Sequence, residues 1–163
     1  MKWNDVLEVS RRFWRRKRTD IQLSPRFGSR SKKNLRTCDP QLQRLFNVVV
    51  EGFDCSIIQG RRSKALQDKY FAEGKSKVQW PNSKHNVLNP TDLSHAVDVA
   101  PYINGKISWD SCQCYFFAGY VLRVSEELGI DIRWGGDWDQ DRDVNDQTFR
   151  DLIHFEIKES SDE

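Results

Sequence analysis

Two short stretches of alternating side chains constrain this chain more than any other feature. In Ile153-His154-Phe155-Glu156-Ile157, the alternation places Ile153, Phe155 and Ile157 on one face of a strand and His154 and Glu156 on the other. In Ala96-Val97-Asp98-Val99-Ala100, Val97 and Val99 share a face, and Asp98 points the other way with two alanines. A carboxylate or an imidazole among such neighbours is costly to bury alone. Each must be hydrogen-bonded, paired or bound to a metal. The small alanines beside Asp98 leave room for something bulky. Two readings fit: a buried Asp and His satisfied by backbone groups, or ligands that converge on an ion.

The rest of the chain supplies helices to cover such strands. Asp39-Pro40 is an N-cap followed by proline at the first helical position, and Leu42, Leu45, Phe46, Val49 and Val50 recur at helical spacing up to Gly52. Residues 55–59 read as a strand. Ser63 caps a helix through Leu66, Tyr70 and Phe71, closed by Gly74. Residues 75–93 read as loop, and Asn104-Gly105 as a hairpin turn. The longest helix spans 111–128, with Phe116, Phe117, Tyr120, Val121, Val124 and Leu128 on its apolar stripe and Gly129 behind it. Residues 130–134 and 153–157 read as strands around an acidic loop, 135–151. The mixture predicts an α+β fold, a mostly antiparallel sheet with flanking helices.

At 163 residues the chain can bury a core without staples. Its apolar runs are far shorter than the ~20 residues of a membrane helix. The first 24 residues lack the apolar core of a secretory signal. Four cysteines without C-x-x-C spacing read as reduced thiols rather than a zinc knuckle or a disulfide framework.

Charge is unevenly placed. Up to Arg36 the chain carries twelve Lys/Arg against three Asp/Glu, and the remainder carries fourteen against twenty-one. Residues 1–30 therefore read as a basic extension on a domain spanning 31–160, with 24–33 as a linker. Trp14 and Phe13 lie among six cations, so the arm suits an anionic envelope surface or a nucleic acid.

Other residues suit hydrolytic chemistry. Asp151, three residues before His154, can lean over a metal and take a proton from water. Arg62, just beyond the 55–59 strand, offers a forked cation for a developing oxyanion, and Arg61 is its near rival. Glu156 reads either as an acceptor behind His154 or as a solvated strand-edge charge. Trp134 and Trp138 read as cleft or core. Asp137, Asp139, Asp141 and Asp143 alternate in a way that suits a hard cation such as calcium, or plain solvation.

Three ordered blocks carry a resemblance: Asn82-Ser83-Lys84-His85, then Ser94-His95-Ala96-Val97-Asp98-Val99-Ala100-Pro101-Tyr102, then Asp151-Leu152-Ile153-His154-Phe155-Glu156. They resemble the S-x-H, A-x-D and [DE]-x-x-H motifs of VanY-like zinc D,D-peptidases. Gln59-Gly60-Arg61-Arg62-Ser63 resembles the segment with the family arginine. Tyr102-Ile103-Asn104-Gly105-Lys106-Ile107 and Arg133-Trp134-Gly135-Gly136-Asp137-Trp138 resemble the phage L-alanyl-D-glutamate endopeptidases, which are endolysins.

The resemblance implies the zinc D,D-peptidase (hedgehog/VanY-like) fold and one zinc ion held by His85, Asp98 and His154. It implies Asp151 as the catalytic carboxylate, Arg62 as the arginine that stabilises the tetrahedral intermediate, and Ser83 as a residue that orients His85 or touches substrate. The implied substrate is peptidoglycan, cut at L-Ala-D-Glu; D-Ala-D-Ala carboxypeptidase activity is the alternative within the family. Outside it stand a wall-binding module without turnover and a nucleic-acid binder. The implied setting is a monomer made in the host cytoplasm that reaches the wall after holin-type release.

One spacing departs from the pattern. Asp98 stands thirteen positions after His85, where an offset of seven is common in the family. His95 offers a shorter gap, but alternation turns it to the side of Val97, away from Asp98.

Overall fold

A computed structural model describes residues 24–158. The basic run at 11–18 lies outside the described residues. Four helices are present among them: α1 (Ser29–Leu35), α2 (Pro40–Gly52), α3 (Lys64–Ala72) and α4 (Ser111–Leu128). The strands are β1 (Cys55–Gln59), β2 (Ala96–Ile103), β3 (Lys106–Ile107), β4 (Ile132–Trp134) and β5 (His154–Ile157). The sheet runs β1-β2-β5-β4, with β3 paired to β2, and every pairing between these strands is antiparallel. This is the expected α+β class. No described helix is long and apolar enough to cross a membrane.

The two caps that the sequence marks, Asp39 and Ser63, form, and Asp110 adds a third. Asp39 accepts a hydrogen bond from the Gln41 amide, Ser63 from Leu66 and Asp110 from Gln113. Each satisfies an amide that the first helical turn leaves without a partner. Asn104 and Gly105 both take positive φ, which the two-residue hairpin turn between β2 and β3 requires.

Helices α2 and α4 cover one face of the sheet. Leu42, Leu45, Phe46 and Val49 from α2 meet Phe117 and Val121 from α4 over Val97, Val99 and Phe155. Phe46 packs edge-on against Phe155 at 5.5 Å between ring centres. Burying each such side chain is worth about 1.5–3 kcal/mol. That face is filled, so Asp98, His154 and Glu156 project from the other face.

Three local expectations change. The stretch read as a linker contains the start of α1, and Phe27 is buried. Helix α1 buries Leu35 in the core and is otherwise tied to the edge strand by polar contacts. Ser31 Oγ accepts from the Ile57 amide, and Asn34 Nδ2 donates to the carbonyls of Ile57 and Ile58. Such contacts leave no hydrophobic period in the sequence. Phe116 belongs to the exposed side of α4, one position off the buried stripe, and leans on Phe53. Ile153 precedes β5 and lines the cleft rather than the core.

Candidate metal centre

Register builds the site. Asp98 in β2 lies directly opposite His154 in β5, and Glu156 lies between Ala96 and Arg133 on the two flanking strands. Directly opposed residues hold their Cβ atoms about 4.5–5.5 Å apart on one face. His85 arrives from the long loop before β2. Asn86 N donates to the Ser83 carbonyl, His85 N to Ser83 Oγ, and Arg62 N to the His85 carbonyl. The side chain of Ser83 thus meets the His85 backbone.

His85 Nε2 lies 3.0 Å from Asp98 Oδ1 and 3.1 Å from His154 Nδ1, and His154 Nδ1 lies 3.2 Å from Asp98 Oδ1. All three side chains are buried. The outer ring nitrogens are engaged as well. His85 Nδ1 donates to the Gly60 carbonyl at 2.7 Å, and His154 Nε2 donates to Glu156 Oε2 at 2.9 Å. A carbonyl can only accept, so the proton of neutral His85 sits on Nδ1 and its Nε2 lone pair faces inward. The Gly60 carbonyl can stand there because residue 60 lacks a side chain. A Cβ would collide with Thr37 Oγ1, the Asn34 carbonyl and Cys38 Sγ.

This donor set fits a cation. Two imidazole nitrogens and a carboxylate oxygen crowd one point, and second-layer acceptors fix both rings. Burial opposes charge on His154, but Asp98 and Glu156 raise its pKa to about 9. Burial likewise opposes the Asp98 carboxylate, yet His85 and His154 hold it well below the usual range. His95 stays outside, exposed, with Nδ1 3.8 Å from Asp39.

Arg62, not Arg61, faces the cleft. Its guanidinium is buried and forks to Asp98 Oδ2 and Gln67 Oε1, both at 3.1 Å, and to Gln59 Oε1 at 3.2 Å. Arg61 is exposed and donates to the Pro90 carbonyl. A bulge in β1 aids this placement. Ile57 pairs with Val99 but Gln59 with Asp98, so one extra residue turns both Ile58 and Gln59 to the cleft.

Asp151 lines the same cleft. Burial and the neighbouring Asp98 carboxylate push its pKa up, against the pull of His154, His85 and Arg62. A carboxyl tuned upward is suited to proton transfer near neutrality.

Glu156 is the acceptor behind His154, not a solvated edge charge. It is 5% exposed and also takes Arg133 Nε at 2.9 Å. Removing such an acceptor commonly weakens metal binding by about 10–100-fold. Glu156→Ala is therefore expected to lower zinc affinity by that factor, read by competition with a chelator. Trp134 is core, whereas Trp138 lines the cleft with its ring 5.4 Å from His154.

Asp137, Asp139 and Asp141 place carboxylate oxygens within 4.8 Å of one another, and Asp137 Oδ1 is buried without a hydrogen-bond partner. Asp143 is not in that group; its Oδ1 accepts from Asn145 N.

The sequence model of the phage L-alanyl-D-glutamate peptidases matches residues 23–158. This chain belongs to that family. The matched residues include α1. The chain is 33% identical over 131 residues to the L-alanyl-D-glutamate peptidase of Escherichia phage T5, covering 78% of this chain and 92% of that protein. It is similar in structure to the L-Ala D-Glu endopeptidase ChiX of Serratia marcescens, with a TM-score of 0.67 and 31% identity. That match covers 86% of this chain and 95% of ChiX. In this member of the family, the buried cluster and the cleft around it occupy the same side of the sheet.

Proposed function

We propose that this chain is a zinc-dependent peptidoglycan endopeptidase that hydrolyses the L-Ala-D-Glu bond of the wall peptide stem. The observation that carries the reading is the convergence of His85 Nε2, Asp98 Oδ1 and His154 Nδ1 on one point, at the bottom of a cleft of about 820 Å3. The names of the T5 and Serratia relatives supply the bond.

His85, Asp98 and His154 would hold the ion. Zinc with such a ligand set lowers the pKa of water to about 7 and polarises a carbonyl. Asp151 receives the proton of the attacking water and returns it to the leaving amine. Arg62, held by Asp98, Gln67 and Gln59, would offer the oxyanion the guanidinium N–H groups that these partners leave over. Ser83 keeps the His85 loop in register through the amide of that residue.

The proposal extends to a catalytic domain that ends near residue 160, acts as a monomer and is released to the wall through a holin-type pore. It assigns the basic segment before the domain to an anionic envelope surface. Deleting residues 1–25 is then expected to slow lysis of whole cells more than digestion of purified wall. An equal effect on both would contradict that role. Calcium at Asp137, Asp139 and Asp141 stays outside the proposal. Asp139 and Asp141 are exposed, and the loop's own amides and Gln147 already engage these carboxylates.

Mass analysis of digested muropeptides tests the reaction. The expected products carry a new carboxyl end at L-Ala and a new amino end at D-Glu. Release of terminal D-Ala with the L-Ala-D-Glu bond intact would instead assign carboxypeptidase activity.

A further inference from the structure

Resting on that reading, we infer that Lys77, which lines the cleft of the metal ligands, forms a subsite for a substrate carboxylate. A glutamate within a peptide has two carboxyl groups, and linkage to the next residue uses only one. An L-Ala-D-Glu stem is therefore anionic near its scissile bond. The cleft opposes such a ligand with three carboxylates of its own, Asp98, Asp151 and Glu156. An anion needs a cation there to bind.

Most of the lining cations are committed. Arg62 pairs with Asp98, Arg133 with Glu156, and Lys75 with Glu73 at 2.7 Å. Lys77 pairs with no carboxylate among the described residues. Its ammonium sits 5.3 Å from the centre of the Phe149 ring. Phe149 stacks on Trp138 at 6.4 Å, and Trp138 lies against His154. The two rings form an apolar shelf between the ligand cluster and the ammonium.

Both walls are anchored. Gln67 is fully buried; its Oε1 accepts from Arg62, and its Nε2 donates to Ser76 Oγ and the Val78 carbonyl. The residues on either side of Lys77 are thus tied to the side chain that holds Arg62. On the opposite wall, Trp138 Nε1 donates to the Phe149 carbonyl at 2.8 Å. Lys77 is exposed, so its ammonium can reach an anion in the cleft, while its backbone neighbours are tied on both sides.

The test uses the zinc-loaded full chain and three synthetic peptides. One is an L-Ala-D-Glu stem with all carboxylates free. In the second the free glutamate carboxyl is amidated, and in the third the carboxyl of the following residue is amidated. A charge-assisted contact of this kind is worth about ten-fold in affinity. Lys77→Met is expected to raise KM about ten-fold for the parent peptide, with kcat within about two-fold and zinc content unchanged. Wild type should show the same rise for one amide, on which Lys77→Met has no further effect; that amide identifies the carboxylate. Lys77→Arg should restore KM. A rise in KM that is equal for all three peptides, or no rise at all, would overturn the subsite. If wild type cleaves none of the three, the peptidase reading falls first and the subsite with it.

Discussion

Asp151→Asn is expected to reduce hydrolysis by about 10²–10⁴-fold while the protein still binds one zinc. Asparagine has nearly the same shape but can neither take nor return a proton. The carboxylate lies outside the His85–Asp98–His154 cluster, so the metal ligands are untouched. The same change is expected to stabilise the zinc-free protein. Burial and Asp98 raise the folded pKa of Asp151. A carboxyl with a raised folded pKa costs stability once pH exceeds its unfolded value of about 4, and it keeps costing at neutral pH. Removing that charge should lift Tm in chelator at pH 7, by about 2–4 °C for each kcal/mol relieved. At pH 3, where the carboxyl is protonated in both states, the gain should vanish. A variant that digests wall as fast as wild type would remove Asp151 from the mechanism.

Arg62→Met is the second change with a large expected effect. The guanidinium stands between Asp98 Oδ2, Gln67 and Gln59, with the Tyr70 ring 4.9 Å away. Methionine fills part of that volume but strips Asp98 Oδ2 of its cationic partner. Breaking a buried pair by removing one side commonly costs about 3–5 kcal/mol. Urea melts of the zinc-free protein should show that loss. Zinc should lessen it, because Asp98 then faces a divalent cation. Catalysis should drop through kcat by about 10²–10³-fold, the usual size for a lost oxyanion donor. Arg61→Met should change neither quantity much, since Arg61 is exposed and contacts a loop carbonyl. Equal effects from the two arginines would contradict the assignment of Arg62.

Side-chain alternation makes the orientation of the two central strands legible in the sequence, whereas the choice of His85 rests on the family resemblance. A strand with Val97 and Val99 on one face and Asp98 on the other can lie only one way on a core, and the same holds for Phe155 against His154 and Glu156. Caps and glycines mark the helices because their chemistry is local. What escapes is held by tertiary contacts. Helix α1 has few apolar residues, and the side chains of Ser31 and Asn34 fasten it to an edge strand. The bulge at Ile58 leaves no mark in composition, yet it decides which side chains line the cleft beside Arg62. Glu156 is ambiguous in the sequence because a sequence does not reveal which residue sits across from it. Arg133 on β4 makes it an anchored acceptor. The loop between His85 and Asp98 hides nothing essential, since the added residues bulge outward and return the chain at Ser94, whose amide bonds to the Thr37 carbonyl.

Metal content of the purified protein, measured for wild type, His85→Ala and His95→Ala after dialysis against trace zinc, decides whether His85 and not His95 holds the ion. One zinc per chain in wild type and His95→Ala, with almost none in His85→Ala, is the predicted result. Full zinc occupancy in His85→Ala, or its loss in His95→Ala, would contradict it.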